Sequence, residues 1–308
     1  MPLNKRESII GFAILLLLGL TWGSSYILIK KGLIAFSPLQ VAMLRFGLSG
    51  LAFVPLAIRY IPLIKKVDIW RLVLIGLLGS GIPAVLFAFA QTRIASSMAG
   101  ILSSFTPLAT YLLGLLFFGV LVQSRKMLGV LIGLIGAITM IWFDSNGDFQ
   151  GDFWYGGLVI LATICYAMNS NLIKHYFQNY SPFYIAAVSF TITGLPVFGF
   201  IFFTDFTEVL QNHPHGWTSL GYLALLAIFG TVIASVLFFK LVQMTDALFA
   251  SSISYLVPVF AILWGLLDGE VLRWYHLIGM VSILAGIYFS RPKNKQKSKP
   301  IPDTRRNT

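Results

Sequence analysis

The residues with the clearest chemical potential are polar side chains placed inside long apolar stretches. Trp22-Gly23-Ser24-Ser25-Tyr26 interrupts one such stretch, and Asn169-Ser170-Asn171 interrupts another. In hydrocarbon these groups are costly unless they are paired or face a wet cavity. Indole, hydroxyl and amide groups orient a bound solute by hydrogen bonding. We therefore expect a binding cavity here, with interhelical hydrogen bonds as the alternative role.

Arg45 is the one arginine well inside an apolar stretch, a turn or two from its start. A guanidinium cannot be deprotonated in a protein, so it must find partners or reach water. Two interpretations stay open: a structural ion pair or carbonyl clamp, and a contact with an anionic group of a substrate. Lys30, near the end of its stretch, is expected to extend its ammonium group to the outer membrane interface.

Three prolines, Pro83, Pro107 and Pro258, lie within apolar stretches and are expected to break helices there, because proline removes a backbone donor. Hydroxyl groups precede two of them by about one turn, where a loosened helix would form a cavity wall. The alternative is that these hydroxyls bond carbonyls of their own helix. The complete set of cavity candidates is Trp22, Ser25, Tyr26, Arg45, Phe87, Gln91, Ser103, Asn169, Asn171, Ser254 and Tyr255.

Catalytic motifs are missing from the sequence. It contains no G-x-x-x-x-G-K-[ST], HExxH, GxSxG or paired CxxC pattern, one cysteine (Cys165) and four histidines. We therefore expect that this chain does not bind ATP as an energy source. A single cysteine cannot form a disulfide within the chain. We expect no enzyme activity, no catalytic residue, no metal and no cofactor.

The composition places the chain in lipid. Hydrophobic residues make up 57% and charged residues 11%, against roughly 25% charged in soluble domains. The net charge of +11 does not indicate nucleic acid, because seven of the 22 Lys and Arg follow Ser290 and most others lie between apolar runs. That distribution is typical of membrane topology.

The number and length of the apolar stretches predict an all-α membrane protein with ten transmembrane helices. We expect a cytoplasmic N-terminus over residues 1–8, five helices over 9–143, an extracytoplasmic linker over 144–152, five helices over 153–290, and a disordered basic cytoplasmic tail over 291–308. With both termini cytoplasmic, the inner segments hold 17 Lys and Arg and the outer ones four. This bias favours that orientation.

The two halves repeat each other. Ser37-Pro38 and Ser181-Pro182 are 144 residues apart, and the same shift aligns Leu28-Ile29-Lys30 with Leu172-Ile173-Lys174. Further on, shifts of 151 and 150 residues align Pro107 with Pro258 and other glycines and hydroxyls with their counterparts. An odd number of helices per half makes the second copy enter the membrane from the opposite side. This is the inverted repeat of secondary transporters, with the site between the halves.

The repeated segments resemble a known family. WGSSYILIK with SPLQVAMLRF is similar to the start of an EamA domain of the drug/metabolite transporter superfamily. ASSMAGILSSFTPLATYLLGLLFFG and ALFASSISYLVPVFAILWGLLDGEVL resemble its fourth and ninth helices. Gly269-Glu270 matches the family's Gly-Glu, whereas the first half has Gly119-Val120. The resemblance implies a ten-helix transporter of small organic molecules, often an exporter of amino acids or other metabolites.

A secondary carrier of neutral or zwitterionic solutes, working by alternating access, is the function we expect. The alternatives are a channel-like pore and a proton-coupled drug or metabolite antiporter. No carboxylate or histidine falls near the middle of an apolar stretch, which favours facilitated diffusion or exchange over obligatory proton antiport. The expected partners are a small-molecule substrate and the lipid bilayer, with no nucleic acid. The oligomeric state is open, and a monomer suffices. A bacterial cytoplasmic membrane is the expected location.

Overall fold

The structure, a computed structural model, describes residues 5–122, 124–144, 153–245, 247, 250 and 252–290. That part of the chain is almost entirely helical, as the sequence predicts. It contains seven helical stretches long and apolar enough to cross a membrane, together with three shorter apolar helices. Most of the predicted linker and the whole predicted tail lie outside the described residues.

The helices follow one another with short connections. In chain order they are α1 (Lys5–Gly32), α2 (Pro38–Tyr60), α3 (Lys66–Gly76), α4 (Ile82–Ala90), α5 (Ser96–Ser103), α6 (Thr106–Phe117), α7 (Ser124–Asp144), α8 (Phe153–Tyr176), α9 (Pro182–Phe200), α10 (Phe206–Asn212), α11 (Gly216–Leu225), α12 (Ala234–Met244), α13 (Val257–Leu267) and α14 (Trp274–Ser290). Two π-helical segments, Leu77–Gly81 and Leu226–Ile233, join α3 to α4 and α11 to α12.

Local sequence signals explain where α2 and α9 begin. Ser37 caps α2: its hydroxyl accepts from the Gln40 backbone N–H, and the Gln40 side chain accepts from the Ser37 backbone N–H. Pro38 follows at the first helical position, where its missing N–H is not needed. Ser181 and Pro182 begin α9 at the corresponding place, but Ser181 makes no side-chain cap.

The three prolines singled out in the sequence each lie at the first or second position of a helix. Pro83 follows the π segment Leu77–Gly81 at the start of α4. Pro107 begins α6 after α5 has ended at Ser103. Pro258 begins α13 after the 3-10 turn Ser252–Tyr255. Because proline cannot continue the hydrogen-bond ladder, these stretches are each built from two helical pieces.

Helices α2 and α9 pack closely through residues that correspond in the repeat. The Phe46 and Phe190 rings lie 6.0 Å apart, and Gly50 faces Gly194. A Cβ atom on Gly50 would lie 2.8 Å from the Phe190 carbonyl oxygen, so only glycine fits at this crossing. Both pairs are separated by 144 residues in the sequence.

Helices α7 and α14 pack in the same reciprocal way. A Cβ atom on Gly136 would lie 3.1 Å from the Gly279 carbonyl oxygen, and one on Gly286 would meet the Gly129 carbonyl oxygen. Gly129 corresponds to Gly279, and Gly136 to Gly286, at a separation of 150 residues. Each helix therefore offers its partner the same pair of small residues.

Candidate functional site

The described residues enclose a cavity among the apolar helices, with a volume of about 80 Å³. One water molecule needs roughly 10–15 Å³ on this scale, so the cavity in this conformation admits only a small solute. Its walls come from both halves of the chain. The lining residues are Trp22, Ser25, Tyr26, Ile29, Arg45, Gly79, Phe87, Ser103, Thr106, Tyr166, Asn169, Ser170, Gly230, Thr231, Ser235, Phe238, Phe239, Ala250, Ile253, Ser254 and Val257.

Helix α1 presents one face to the cavity. Its lining residues recur at intervals of three and four positions and therefore share that face: Trp22, Ser25, Tyr26 and Ile29. The Trp22 indole N–H donates to the Gly230 carbonyl at 3.0 Å. This carbonyl belongs to the π segment Leu226–Ile233, whose widened turn changes the helical bonding pattern. Trp22 thereby ties α1 to the π segment across the cavity wall.

Both π segments border the cavity at corresponding glycines, Gly79 and Gly230. A Cβ atom on Gly79 would lie 2.9 Å from the Asn169 amide nitrogen, and one on Gly230 would lie 2.9 Å from the Ser25 hydroxyl oxygen. Larger residues would therefore displace polar groups of the lining. Short π segments within α-helices often occur at functional sites.

Arg45 enters the cavity from α2 and is 6% exposed. Its Nε atom donates to the Thr231 hydroxyl at 3.3 Å, and its guanidinium group interacts with the Tyr166 hydroxyl. None of the ion pairs found among the described residues includes Arg45. The cavity thus contains a buried positive charge held by neutral hydroxyl groups.

Helix α8 contributes three lining residues, Tyr166, Asn169 and Ser170. Asn169 and Ser170 follow Tyr166 by three and four positions, so all three lie on one face of the helix. The Ser170 hydroxyl donates to the Tyr166 carbonyl within the helix. The Oδ1 atom of Asn169 is buried and has no hydrogen-bond partner. A buried acceptor without a partner is costly, so a donor from a bound solute or water would stabilise it.

The structure gathers eight of the sequence candidates around the cavity and leaves others elsewhere. The eight are Trp22, Ser25, Tyr26, Arg45, Phe87, Ser103, Asn169 and Ser254. Gln91 does not line the cavity; its amide donates to the Tyr26 carbonyl at 2.7 Å. Asn171 does not line it either, since its amide donates to the Thr110 and Ala167 carbonyls. The side chain of Tyr255 lies outside the described part of the chain.

Several lining residues were missed by sequence reasoning, notably Tyr166, Thr231, Ser235, Phe238 and Phe239. Three of them carried a usable signal. Tyr166 precedes Asn169 by three residues, and Ser235 follows Thr231 by four, so each pair shares a helical face. The two phenylalanines carried none, because most phenylalanines in this apolar sequence face lipid or core.

A group of charges lies one turn beyond the cavity on α1. Lys30 pairs with Asp268 at 2.7 Å and with Glu270 at 2.8 Å, and Lys31 pairs with Asp268. Glu270 also accepts from the Ser96 backbone and hydroxyl groups and from the Ser97 backbone N–H. We call these six residues the Glu270 cluster. The sequence did not predict these ion pairs; the Lys30 side chain is still 36% exposed, and its extension to the outer membrane interface stays a prediction.

Gly269 positions the Glu270 carboxylate. Its φ of +83° ends α13 in the left-handed conformation typical of a glycine after a helix. The chain then turns back, the Glu270 backbone N–H donates to the Gly265 carbonyl, and the side chain reaches the N-terminus of α5. Carboxylates are stabilised at helix N-termini by the unpaired N–H groups and the helix dipole.

The electrostatics of the Glu270 cluster keep it charged. Burial would by itself raise the pKa of Glu270, but hydrogen bonds from Lys30, Ser97 and Ser96 outweigh it and lower that pKa to about 2. Hydrogen bonds from Lys30 and Lys31 likewise lower the pKa of Asp268. The cluster is therefore ionised throughout the physiological pH range.

A second polar group lies at the start of α3, which the charge bias of the sequence places on the cytoplasmic side. Asp68 is buried and accepts from Tyr180 at 2.8 Å and from Arg71 at 3.0 Å. The Arg71 guanidinium lies 4.2 Å from the centre of the Tyr176 ring. We call these four residues the Asp68 cluster. The hydrogen bond to Asp68, followed by burial, raises the pKa of Tyr180.

Within the part of the chain that the structure describes, the residues that correspond to Lys30 and Glu270 in the repeat form no ion pair. Lys174 donates to the Thr245 backbone carbonyl at 2.7 Å. Val120 follows the positive-φ Gly119 where Glu270 follows Gly269. One end of the bundle is therefore held by paired charges that the equivalent position at the other end lacks. Within the described residues, no group of three or more His, Cys, Asp or Glu could hold a metal.

Known proteins resemble the chain over nearly its whole length. It is 28% identical over 301 residues to the uncharacterised inner membrane transporter YedA of Escherichia coli K12, covering 94% of each chain. It is 28% identical over 297 residues to the uncharacterised transporter YdfC of Bacillus subtilis, covering 92% of this chain and 91% of YdfC. It is 26% identical over 292 residues to Protein PecM of Dickeya dadantii, covering 91% and 93%.

A crystal structure of a protein with 18% sequence identity superposes with a TM-score of 0.62, covering 94% of this chain and 97% of that one. That likeness concerns the fold alone. The description "EamA-like transporter family" matches residues 9–142 and 153–291. With its apolar helices and its transporter relatives, the protein is a multi-pass membrane transporter, and the chain belongs to the EamA-like transporter family.

Proposed function

We propose that the protein is a secondary carrier that moves a small neutral or zwitterionic metabolite, such as an amino acid, by alternating access. The observation that carries this proposal is the enclosed cavity, which both halves of the chain line with hydroxyl, amide and aromatic groups. Carriers built from inverted repeats bind their substrates at the interface between the repeats. The membrane it serves is a bacterial cytoplasmic membrane, as for the relative YedA.

The contacts between corresponding residues support an inverted repeat of ten helices. When a twofold axis relates two units, a residue near the axis contacts its own counterpart. Phe46 with Phe190 and Gly50 with Gly194 are such pairs. The three shorter apolar helices would complete the seven longer stretches to ten.

The Glu270 and Asp68 clusters support closure of the cavity at either end. The Glu270 cluster joins α1, the start of α5 and the end of α13, and all three elements or their immediate neighbours line the cavity. The Asp68 cluster joins α3 to the connection between α8 and α9. We take the Glu270 cluster as the outer gate, which opens when its ion pairs separate.

The lining favours facilitated diffusion or exchange over obligatory proton antiport. The lining residues that the structure describes include arginine but no aspartate, glutamate or histidine, which are the usual proton carriers within membranes. In proteoliposomes without a substrate gradient, an imposed pH gradient should therefore drive no accumulation. Uphill accumulation that collapses with a protonophore would instead favour the proton-coupled antiporter.

Countertransport in proteoliposomes tests the carrier proposal. Vesicles are loaded with a labelled amino acid, and its efflux is measured with and without the same unlabelled compound outside. A carrier that reorients faster when loaded gives accelerated efflux, and each of the twenty amino acids is assayed in turn. A channel-like pore gives efflux that is not saturable and is indifferent to outside solute.

A further inference from the structure

Among the described residues that line the cavity, Arg45 alone is charged. Its guanidinium group has five N–H donors, of which Nε donates to the Thr231 hydroxyl and the group also interacts with the Tyr166 hydroxyl. The Tyr26 hydroxyl, which also lies near Arg45, interacts with Ser103. The described residues around Arg45 thus bring it hydroxyl groups and no carboxylate.

An unpaired buried charge is expensive. The effective penalty for moving an ion out of water is several kcal/mol, and neutral hydroxyl groups offset only part of it. Arg71, a partly buried arginine of α3, illustrates the usual solution, since Asp68 pairs with it at 3.0 Å. A guanidinium group that lines a cavity without such a partner is arranged for an anion that arrives from outside.

A second unpaired group lies in the same cavity. The Oδ1 atom of Asn169 has no donor, and Gly79 leaves the amide just enough room to face the lining. An amide oxygen accepts a hydrogen bond from an ammonium or hydroxyl group. The cavity therefore lacks one anion at Arg45 and one donor at Asn169.

Aromatic rings form part of the remaining walls, beside hydroxyl groups such as those of Ser103, Ser235 and Ser254. The Trp22 and Phe238 rings lie 5.1 Å apart, and the Tyr26 and Phe87 rings lie 5.4 Å apart. These rings would cover the non-polar part of a solute whose polar groups face Arg45 and Asn169.

We propose that the cavity selects small carboxylates that also carry a hydrogen-bond donor: the carboxylate binds Arg45 and Thr231, and the ammonium or hydroxyl group binds Asn169. This inference rests on the proposed carrier function; it narrows the zwitterionic substrates to amino acids and adds small hydroxy acids, which are anions at neutral pH. Amino acids and hydroxy acids fit both groups. Amines without a carboxylate, sugars and nucleosides do not, because they would leave the Arg45 charge unpaired.

The test is a thermal-shift screen of the purified protein in detergent against the twenty amino acids, their amides, the corresponding amines, lactate, sugars and nucleosides. A ligand that binds the folded state raises Tm. We expect stabilisation by one or more amino or hydroxy acids and none by the matching amide or amine. Stabilisation by a sugar, nucleoside or amine, or by no carboxylate at all, overturns the proposal.

Arg45→Met separates a substrate role from a structural clamp. If Arg45 awaits an anion, its loss leaves the Tm of the empty protein unchanged or raised, because an unpaired charge disappears. The affinity for the stabilising acid should fall about 30-fold or more, the size of effect seen when one member of a buried charge pair is removed. Arg71→Met is the matched control, and it should lower Tm because it leaves Asp68 without its cation.

A lower Tm of empty Arg45→Met with the ligand shift retained identifies a clamp and contradicts the proposal. If Arg45→Met does not fold, Arg45→Lys and Thr231→Val give the same comparison, with weaker binding of acids expected in both. The countertransport assay keeps the two proposals apart. Exchange of an uncharged solute would preserve the carrier and remove the carboxylate site, whereas no exchange of any solute would remove the carrier itself.

Discussion

Asn169 and Asn171 are two positions apart on α8 and have opposite surroundings. The Asn171 amide donates to two backbone carbonyls, one on α6 and one on its own helix. Asn169 faces the cavity with an unpaired oxygen. Because the residue types are identical, only the structure separates the group that stabilises the bundle from the group that is free to bind a solute.

Substitution of the two asparagines should therefore have different consequences. Asn171→Leu should lower the free energy of unfolding by about 1–3 kcal/mol, the cost of leaving a buried polar partner unsatisfied. Asn169→Leu should leave Tm near that of the wild type and reduce transport. Thermal denaturation and proteoliposome flux measure both. The assignment fails if Asn169→Leu unfolds the protein or if Asn171→Leu alone abolishes transport at normal Tm.

Glu270 should stabilise the protein in a pH-dependent way. Its pKa is about 2 in the folded protein and about 4.3 in an unfolded chain. A lowered pKa stabilises the folded state above the unfolded value, and the stabilisation is lost as pH falls from about 4.3 towards 2. Glu270→Gln should thus lower Tm by a constant amount between pH 8 and 5, and the difference from wild type should shrink below pH 4. A difference that changes between pH 6 and 8 would contradict this assignment.

Close packing between the helices depends on individual glycines. A Cβ atom on Gly23 of α1 would lie 2.5 Å from Phe260 Cβ and 2.9 Å from the Val257 carbonyl oxygen on α13. Small residues let membrane helices approach in this way. Gly23 therefore packs against α13 and is not among the residues that line the cavity.

Gly23→Ala should accordingly separate α1 from α13 and lower Tm. Gly157→Ala on α8 is the matched control, because nothing lies within 4 Å of its Cβ position. Alanine there should be neutral or stabilise by up to about 1 kcal/mol through its helix propensity. Equal effects of the two substitutions would show that the α1–α13 contact is looser than described.

The positions of most helices could be predicted from the sequence, but the π segments and the contacts between distant helices could not. Apolar stretches, the Ser37-Pro38 start and the prolines at 83, 107 and 258 carry local signals that place helices and their interruptions. The π segments around Gly79 and Gly230 carry no comparable signal. Nor does the sequence reveal that Lys30 meets Glu270, because 240 residues separate them. Contacts between distant segments depend on how the helices pack, and that is why Gln91 could not be separated from the lining residues.

For the whole molecule, the charge distribution predicts that both termini are cytoplasmic. Arg273 lies in the connection between α13 and α14, on the predicted outer side. In a Cys165→Ser background, a membrane-impermeant thiol reagent should label Arg273→Cys in intact cells. It should label Lys295→Cys only after permeabilisation. The reverse pattern would invert the orientation, and labelling of both in intact cells would contradict an even number of spans.

The two ends of the bundle are closed differently, which sets an expectation for the resting state. Lys30 at one end is held by carboxylates, and Lys174 at the corresponding place by a backbone carbonyl. Both contacts are charge-assisted, but Lys30 meets two ionised carboxylates whereas Lys174 meets a neutral carbonyl, so the Lys30 contacts are the stronger. The empty carrier should therefore be closed at the Glu270 end and open more readily at the other.

The accessibility of a cysteine in the cavity is the most direct test of alternating access. Ser235 lines the cavity and is 8% exposed, so Ser235→Cys in a Cys165→Ser background reports which side reaches it. We predict that an impermeant thiol reagent reacts faster from the cytoplasmic side, and that adding Glu270→Gln raises the rate from the outer side. Equal rates from both sides that Glu270→Gln leaves unchanged would contradict alternating access through this cavity.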